Sequence, residues 1–410
     1  MKNILIVISF IFILPACKQR STKASFITAG EMIQVDSLPA SAPYFTSDTN
    51  GNIVLSWARQ LNDSVFVFCY AVSADGGGTF QPAVQIPGSE NLQAHAENLP
   101  KVIFKPSGEI IALWGAANPG EKNKYAGLVF YSQSFDNGKN WTQPRRLVED
   151  PDGFDQRYYD VALLATGEVA VIWLDNRKAT DVKGSALYFA TTHGKSGFSA
   201  GRRILDGCCP CCRTELYADK DNGIHLLYRG IINGTTRDML HSVSVDGGKT
   251  FTNPGLISND GWVIDGCPHT GPSMTGNSDG LHFAWFTGSE SPGCYYTNLD
   301  SFSNAFSPRV RISEKGSHPQ IITTGGQDLL LTWDEPVITN GKYSRRIGVA
   351  LRRQYTDLFE RSFITSDTLE ASYPVITPIG NNQAGLAYTI KKGRESYVCF
   401  QKVSWQPAPH

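Results

Sequence analysis

The sequence predicts an all-β fold, a β-propeller of seven blades built from one repeated unit. Three patterns predict it: an apolar run that ends in an aromatic residue, an X-Pro pair that precedes most of these runs, and a turn rich in Asp and Gly that follows three of them. The composition agrees, because 39 Gly, 22 Pro and 11% aromatic residues among 410 suit short strands joined by tight turns.

The first pattern is a run of strand length that begins at a turn residue and ends in Trp or Tyr. It occurs seven times, and the final aromatic residues are spaced 48 to 59 residues apart. The seven runs are 52–57, 109–114, 168–173, 223–228, 280–285, 328–333 and 384–388. A period of this length is typical of propeller blades, in which each run is the second strand of its blade.

The second pattern places the entrance of each first strand, since proline is tolerated before ladder donors are needed. The pairs end at Pro43, Pro100, Pro210, Pro268, Pro319 and Pro374, while Gln156-Arg157 takes that position in the third unit. First strands line the central channel, so we expect the flanking residues to ring its mouth. Before the pair stand Ala42, Leu99, Gln156, Cys209, Cys267, His318 and Tyr373. After it stand Tyr44, Lys101, Tyr158, Cys211, His269, Gln320 and Val375.

Ring closure is expected from the N-terminal side. The last unit has three strands and ends near Val403, whereas segment 26–35 precedes the first unit and has the pattern of a strand. We therefore expect this segment to form the outer strand of the last blade. Six blades, with one unit used elsewhere, remain the alternative.

The third pattern is Ser-x-Asp-x-Gly-x-x-aromatic, found at 73–80, 134–141 and 244–251. Its aspartates, Asp75, Asp136 and Asp246, are expected to accept backbone N–H bonds across their own turns. The glycine takes a positive φ, and the aromatic residue fixes the turn to the core. This is an Asp-box, and we assign it a structural role.

At these boxes the chain resembles the sialidase-like superfamily of Asp-box propellers, also called BNR-repeat proteins. The resemblance covers nearly the whole domain in architecture, but in residues mainly the three boxes. The run Cys209-Pro-Cys-Cys-Arg213 and the run Cys267-Pro-His269 look like those of a subgroup of exported bacterial members. The resemblance implies a propeller fold and, if the protein is an enzyme, glycoside hydrolysis of the exo-α-sialidase type.

Sialidases of this family hold the sugar carboxylate with three arginines and use a Tyr–Glu nucleophile pair and an Asp acid/base. The chain departs from that pattern where Ala42-Pro43-Tyr44 stands in place of the first arginine motif, and seven blades exceed the usual six. The resemblance leaves Tyr373 with Glu215 or Glu335 as the candidate catalytic residues.

The N-terminus has the pattern of an export signal. Lys2, an apolar run and Leu14-Pro15-Ala16-Cys17 resemble a bacterial lipoprotein signal. We expect residues 1–16 to be the signal peptide, 17–24 a tether lipidated on Cys17, and 25–410 one propeller domain. That organisation predicts a monomer anchored to a bacterial membrane, at the outer membrane or cell surface.

Eight further cysteines would then meet an oxidising compartment, and four of them fall within 208–212. Three interpretations stay open. Cys209 and Cys267 form a disulfide between neighbouring blades; Cys209, Cys211 and Cys267 with His269 bind zinc or copper; or the cysteines are buried free thiols.

Arginines form the other candidate set for ligand binding. Together with His269 and His318 they are Arg157, Arg177, Arg213, Arg229 and Arg237. Guanidinium groups suit carboxylate, sulfate or phosphate ligands, although pairing with nearby aspartates in a structural network is the alternative. A net charge of −1 argues against a nucleic-acid partner. The leading hypothesis is therefore recognition, with or without hydrolysis, of an anionic glycan or similar solute; a metal-binding or redox-linked propeller and a disulfide-stapled scaffold are the alternatives.

Overall fold

The structure, a computed structural model, describes residues 27–121, 123–150, 153, 155–177 and 182–407. These residues form seven antiparallel sheets of four strands each, which are the blades of a β-propeller. The seven-blade prediction is confirmed, and the six-blade alternative is wrong. The predicted signal peptide, the tether and Cys17 lie outside the described residues.

The strands follow the chain blade by blade. Blade 1 contains β2 (Ala40–Ser47), β3 (Ile53–Gln60), β4 (Phe66–Ser73) and β5 (Val84–Gln85). Blade 2 contains β6 (Lys101–Phe104), β7 (Ile110–Ala117), β8 (Gly127–Ser134) and β9 (Arg145–Arg146). Blade 3 contains β10 (Gln156–Leu163), β11 (Val169–Asp175), β12 (Ser185–Thr191) and β13 (Arg202–Cys208). Blade 4 contains β14 (Glu215–Ala218), β15 (Ile224–Arg229), β16 (Met239–Ser244) and β17 (Gly255–Leu256).

The last three blades complete the ring. Blade 5 contains β18 (Ser273–Asn277), β19 (Gly280–Thr287), β20 (Gly293–Asp300) and β21 (Val310–Ser313). Blade 6 contains β22 (Ser317–Thr323), β23 (Leu329–Thr339), β24 (Lys342–Arg352) and β25 (Phe359–Phe363). Blade 7 contains β26 (Ala371–Gly380), β27 (Gln383–Lys392), β28 (Glu395–Trp405) and, outermost, β1 (Ile27–Gln34).

The N-terminal strand closes the ring as predicted. β1 pairs antiparallel with β28, from Ile27 opposite Trp405 to Gln34 opposite Cys399. The only helical segment in the described ranges is a 3-10 turn, Gly194–Ser196. Within those ranges, no helix has both the length and the apolar character needed to cross a membrane.

Aromatic residues at the ends of the second strands form the blade cores. Trp57, Trp114, Trp173 and Trp285 are completely buried, and Trp333 is 2% exposed. Each indole Nε1–H donates to a carboxylate or amide oxygen at 2.6 to 3.0 Å. The acceptors are Asp36, Asn91, Asp175, Asp260 and Glu335. Because a buried indole N–H needs a hydrogen-bond acceptor, these five acidic or amide residues have a structural role.

The three Asp-boxes have the expected hydrogen bonds. Asp75, for example, accepts from the Thr79 N–H at 2.9 Å and from its hydroxyl at 2.8 Å, while Gly77 has a φ of +82°. These bonds lower the pKa of Asp75 well below its ordinary value. The boxes are thus hydrogen-bonded turns.

The aromatic residue of each box also joins neighbouring blades. Phe80 of blade 1 packs edge-on against Phe400 of blade 7, with ring centroids 5.1 Å apart. The same contact recurs for the other two boxes, in the pairs Trp141–Tyr70 and Phe251–Phe189, and Phe198 of blade 3, which lies outside the boxes, packs likewise on Tyr131. The boxes thus lie at the blade junctions, away from the channel, and hold adjacent sheets together.

Candidate functional site

Strand register shows which side chains meet around the axis. In each blade, one residue of the first strand pairs with the second-strand residue that precedes the core aromatic residue. These seven equivalent first-strand residues are here termed the channel ring. Its members are Tyr44, Lys101, Asp160, Glu215, Ser273, Gln320 and Val375. Two residues earlier lies the mouth ring: Ala42, Leu99, Tyr158, Arg213, Gly271, His318 and Tyr373.

The predicted ring was therefore wrong in blades 3, 4 and 5. Gln156 lies two residues before the mouth position, and Cys209 and Cys267 each lie four residues before it. The physical reason is that Pro210 and Pro268 belong to irregular loops, where proline is as acceptable as at a strand entrance. In blade 5 the proline that opens the strand is Pro272.

A β-bulge turns the mouth residue toward the opening in four blades. The register of the first strand shifts at this point in β2, β10, β22 and β26. There Ala42, Tyr158, His318 and Tyr373 have φ values between +52° and +56°. Left-handed backbone is unfavourable for bulky side chains, and bulges of this kind commonly re-aim residues beside functional sites. The repeated strain marks the mouth as the candidate site.

Below the mouth, the channel ring is a buried network of opposite charges. Lys101, 1% exposed, is bonded to the Asp160 carboxylate and to the Tyr159 carbonyl at 3.2 Å. Burial and the neighbouring Asp160 charge raise the pKa of Glu215 to about 8, although Arg213 and Lys101 oppose this. The raised pKa favours the protonated form of Glu215, which is half-buried in the channel.

Arg213 connects this network to the mouth. Its guanidinium lies 3.5 Å from Glu97 and donates to the Pro272 carbonyl at 2.9 Å. Gln320 accepts from both of its terminal nitrogens at 3.0 Å when the amide oxygen faces the guanidinium. Arg213 is 4% exposed, so these contacts place it as a support beneath the mouth.

One cavity of about 480 Å³, the mouth pocket, opens beside Tyr158. Its lining residues are Gln93, His95, Asn98, Asn123, Tyr125, Arg157, Tyr158, Pro210, Cys211, Cys267 and His269. The ring centroid of His95 is 5.6 Å from that of Tyr158 and 6.3 Å from that of His269. None of these lining residues carries a carboxylate, so the pocket is neutral to basic.

Two groups in the mouth pocket are held ready for a ligand. Arg157 is fixed by Asp155 through bonds of 2.8 and 3.0 Å, yet its side chain is 19% exposed. Burial lowers the pKa of His95. The Arg157 and His269 charges lower it further, whereas the Glu97 charge raises it. His95 Nδ1 accepts the Glu97 N–H at 3.1 Å, which assigns the ring proton to Nε2. His95 is accordingly a neutral hydrogen-bond donor.

A second recess of about 400 Å³ shares His95 with the mouth pocket and contains His318 and Tyr373. Asp334 accepts from the Tyr373 N–H at 2.6 Å and lies 2.9 Å from His318 Nδ1. Burial raises the pKa of Tyr373, and the nearby charges of Glu97 and Asp334 raise it further. The carboxylates beside Tyr373 are thus Glu97 and Asp334.

The other predicted site residues lie elsewhere. Glu335 accepts from Trp333 at 2.9 Å and pairs with Arg346, and Arg177 pairs with Asp175 in the same kind of core position. Arg229 donates to three backbone carbonyls, and Arg237 is buried at 5% exposure. The structure thus brings Arg157 and His269 together in one pocket and places His318 in the adjoining recess.

Glu97 and His95 are the site residues that sequence patterns missed. They lie on the connection from β5 to β6, which carries no repeat signature. Only their position in the sequence could have identified them, because the run His95-Ala96-Glu97-Asn98 immediately precedes the mouth residue Leu99.

The cysteine run forms a compact thiol cluster. The sulfurs of Cys209, Cys211 and Cys212 lie within 4.8 Å of one another, and all three residues are buried. Cys267 is exposed and does not belong to this group, nor does His269. The predicted ligand set is therefore corrected, with Cys212 in place of Cys267. All eight cysteines in the described residues are free, so no Cys209–Cys267 bridge is present.

Comparisons with known proteins identify the fold. No family model and no curated protein matches the chain. Among solved structures, a protein of unknown function from Dyadobacter fermentans is similar with a TM-score of 0.55 and 14% identity, covering 93% of this chain and 100% of that one. A polysaccharide lyase has a TM-score of 0.55 at 13% identity, covering 95% and 94%.

A sialidase from Trypanosoma rangeli has a TM-score of 0.50 at 12% identity, and the match covers 92% of this chain but 59% of the sialidase. Identities this low establish the fold alone. By its fold, this chain is a seven-bladed β-propeller similar to those of a polysaccharide lyase and a sialidase.

Proposed function

We propose that this protein binds an acidic glycan at the mouth of the propeller channel. The observation that carries the proposal is the mouth pocket, in which Arg157, His95, Tyr158 and His269 line one cavity of about 480 Å³ without a carboxylate. A guanidinium fork binds a carboxylate or sulfate through paired hydrogen bonds, and Tyr and His present both flat apolar surface and donors to a sugar ring.

Binding is tested by calorimetry with uronate-containing and neutral oligosaccharides of equal length. The acidic series is expected to bind, and Arg157→Ala to weaken binding by about tenfold or more, since a charge-assisted hydrogen bond contributes about 1.5–3 kcal/mol. Arg146→Ala, an exposed arginine on β9, is the control that should bind as the unaltered protein does. Equal binding of the neutral series would contradict the proposal.

If the bound glycan is cleaved, the pocket chemistry favours β-elimination over hydrolysis. Glycoside hydrolysis needs two carboxyl groups, or a Tyr–Glu pair, at the bond. The mouth pocket lacks both, and a polysaccharide lyase is among the solved structures of this fold. Here Arg157 would hold the uronate carboxylate, and His269 would remove the adjacent carbon-bound proton. The electron pair of that C–H bond forms a carbon–carbon double bond, the glycosidic carbon–oxygen bond at the next carbon breaks, and the leaving oxygen takes a proton from Tyr158, whose pKa burial raises.

The two reactions give different products. Elimination produces an unsaturated uronate that absorbs in the ultraviolet. Hydrolysis of a fluorogenic sialoside releases a fluorescent leaving group and forms no unsaturated uronate. Activity abolished by Tyr158→Phe and by His269→Ala, with the ultraviolet signal present, supports elimination. Sialoside hydrolysis lost on Tyr373→Phe would instead favour the sialidase pattern and contradict elimination.

Export and anchoring through Cys17 form a separate part of the proposal and rest on the sequence motif at 14–17. Mass spectrometry of the N-terminal peptide from a bacterial host is expected to show acylation of Cys17. Recovery of Cys17→Ser in the membrane fraction to the same extent as the unaltered chain would refute it.

A further inference from the structure

The second cluster of chemistry-bearing groups is the trio of thiols beside the mouth pocket. We infer that Cys209, Cys211 and Cys212 bind a thiophilic d10 metal ion, zinc(II) or copper(I), through all three sulfurs. This inference is independent of the proposed glycan, because the site is defined by its sulfur geometry.

The spacing of the sulfurs fits one metal ion. Cys209 Sγ is 3.6 Å from Cys211 Sγ and 4.0 Å from Cys212 Sγ. A metal with sulfur ligands at about 2.3 Å in tetrahedral geometry sets its sulfurs about 3.8 Å apart. A disulfide would need them near 2.05 Å, and an odd number of thiols cannot all pair among themselves. Soft thiolates select zinc and copper(I) over harder ions.

A buried cation lies next to the cluster, because Cys209 N–H donates to the Arg229 carbonyl. Arg229 is 1% exposed, and its Nε has no hydrogen-bond partner. A trithiolate metal complex carries net negative charge and would compensate this buried cation.

The backbone around the cluster is already ordered. Cys209 N–H donates to the Arg229 carbonyl at 2.8 Å, and Ile231 N–H donates to the Gly207 carbonyl at 2.6 Å. Gly207, next to the last residue of β13, has a φ of +71° just before the chain enters the loop. This preorganisation lets the three side chains converge without refolding of the loop.

The cluster borders the mouth pocket through one member. Cys211 lines that pocket together with Cys267 and His269. A tetrahedral ion held by three sulfurs leaves one coordination position for a further ligand or solvent. The metal would fix the pocket wall formed by the loop that carries Cys211.

Cys208 provides a matched control. It is adjacent in sequence and 1% exposed, but it packs in the apolar cluster with Leu226 and Tyr228 instead of joining the three thiols. Cys208→Ser therefore perturbs a buried thiol without removing a ligand. Cys209→Ser, Cys211→Ser and Cys212→Ser each remove one ligand.

The experiment is elemental analysis of the full chain purified without chelator from medium containing zinc and copper. We expect about one zinc or copper ion per chain, as for a preformed site. Each of the three ligand variants should lose it and Cys208→Ser should keep it. Cobalt(II) added to the metal-stripped protein should give a thiolate-to-cobalt charge-transfer band that the three variants lack. Circular dichroism of every variant separates loss of the site from loss of the fold.

Three results would overturn the inference. They are substoichiometric zinc and copper in the folded unaltered protein, equal metal loss in Cys208→Ser, and a disulfide within 209–212 found by mass spectrometry of the freshly purified chain. Glycan binding that persists in a chain without metal would leave the proposed function intact, so the two ideas fail separately.

Discussion

The rings of His318 and Tyr373 pack against each other with their centroids 4.1 Å apart and their planes tilted by 35°, and the buried Asp334 holds both residues. Both residues have left-handed backbone, at φ values of +52° and +53°. The pair spans the junction of blades 6 and 7 on the channel side, and Asp334 is the group that fixes its geometry.

Asp334→Asn should destabilise the protein strongly and in a pH-dependent way. Removing one member of a buried ion pair costs about 3–5 kcal/mol of unfolding free energy. Burial opposes the charge on His318, but Asp334 outweighs it and raises the His318 pKa; the Asp334 pKa is lowered in return. The His318 contribution is complete below about pH 6.5 and is lost as the pH rises through its raised pKa.

Denaturant titrations at about pH 5.5 and about pH 9 measure this difference, which should be larger at the lower pH. The Asp334 contribution is present above about pH 4 and does not reverse the trend. Asp367→Asn, which alters a half-exposed partner of Arg346, is the control and should change stability little at either pH. An equal cost of Asp334→Asn at both pH values would exclude a charged His318.

Glu215→Gln should make the chain more tolerant of high pH. The folded-state pKa of Glu215 is raised to about 8, chiefly by burial, so the native state keeps a proton that the unfolded chain releases at about pH 4.5. Stability therefore falls as the pH rises between these values, by at most about 1.4 kcal/mol per pH unit, and levels off above the folded pKa.

The amide in Glu215→Gln cannot ionise. The stability of this variant relative to the unaltered protein should therefore increase between about pH 5 and about pH 9. Melting temperatures across this range provide the measurement. Glu314→Gln, at an exposed position, should run parallel to the unaltered protein. A parallel curve for Glu215→Gln as well would show that Glu215 ionises freely in the channel.

Asp175→Ala should act on the fold and leave the mouth unchanged. Asp175 accepts from the Trp173 indole at 3.0 Å and pairs with buried Arg177, so its removal leaves the indole without an acceptor and Arg177 with the more distant Asp150, at a cost of about 3 kcal/mol. Asn91→Ala, the neutral counterpart beneath Trp114, should cost about 1–3 kcal/mol.

Urea unfolding and glycan titration of these two variants separate the roles of Arg177. Binding that is lost in folded Asp175→Ala but retained in Asn91→Ala would make Arg177 a ligand contact. Retained binding in both variants is the result expected from a core position.

Phe400→Ala should open the junction between blades 7 and 1. Phe400 is fully buried and contacts both Phe80 and Phe45, and truncation of such a residue costs about 3–5 kcal/mol. Phe302→Ala, at a completely exposed position, should be neutral. Hydrogen exchange should show the loss of protection in β1, β2 and β28; a loss confined to blade 4 would refute a junction role.

The fold was predictable from sequence because its signals are local. A strand ending in Trp, an Asp-box and a closing strand each occupy a few consecutive residues, and strand β1 was predicted within one residue at each end. The mouth was less predictable, because register depends on loop length. The irregular loop holding Cys209 moved blade 4 by four residues.

Spatial neighbours from separate blades were the hardest part to predict. Glu97 lies beside Arg213, 116 positions later in the chain, and no periodic pattern relates them. Cys212 replaced Cys267 in the thiol cluster for a related reason: short-range loop geometry brings 209, 211 and 212 together more readily than two loops of different blades. The bulges that direct Tyr158 and Tyr373 into the mouth likewise leave no mark in composition.

The pairing of β1 with β28 has a consequence for biosynthesis. A ribosome produces residue 27 hundreds of residues before residue 405, so the first strand emerges long before its partner exists. Six blades can assemble in order behind it, but β1 has no strand to pair with until β28 has been made at the end of translation. During that interval β1 would offer an open edge, and chaperones or export factors would meet a protein whose last step is to capture its own beginning.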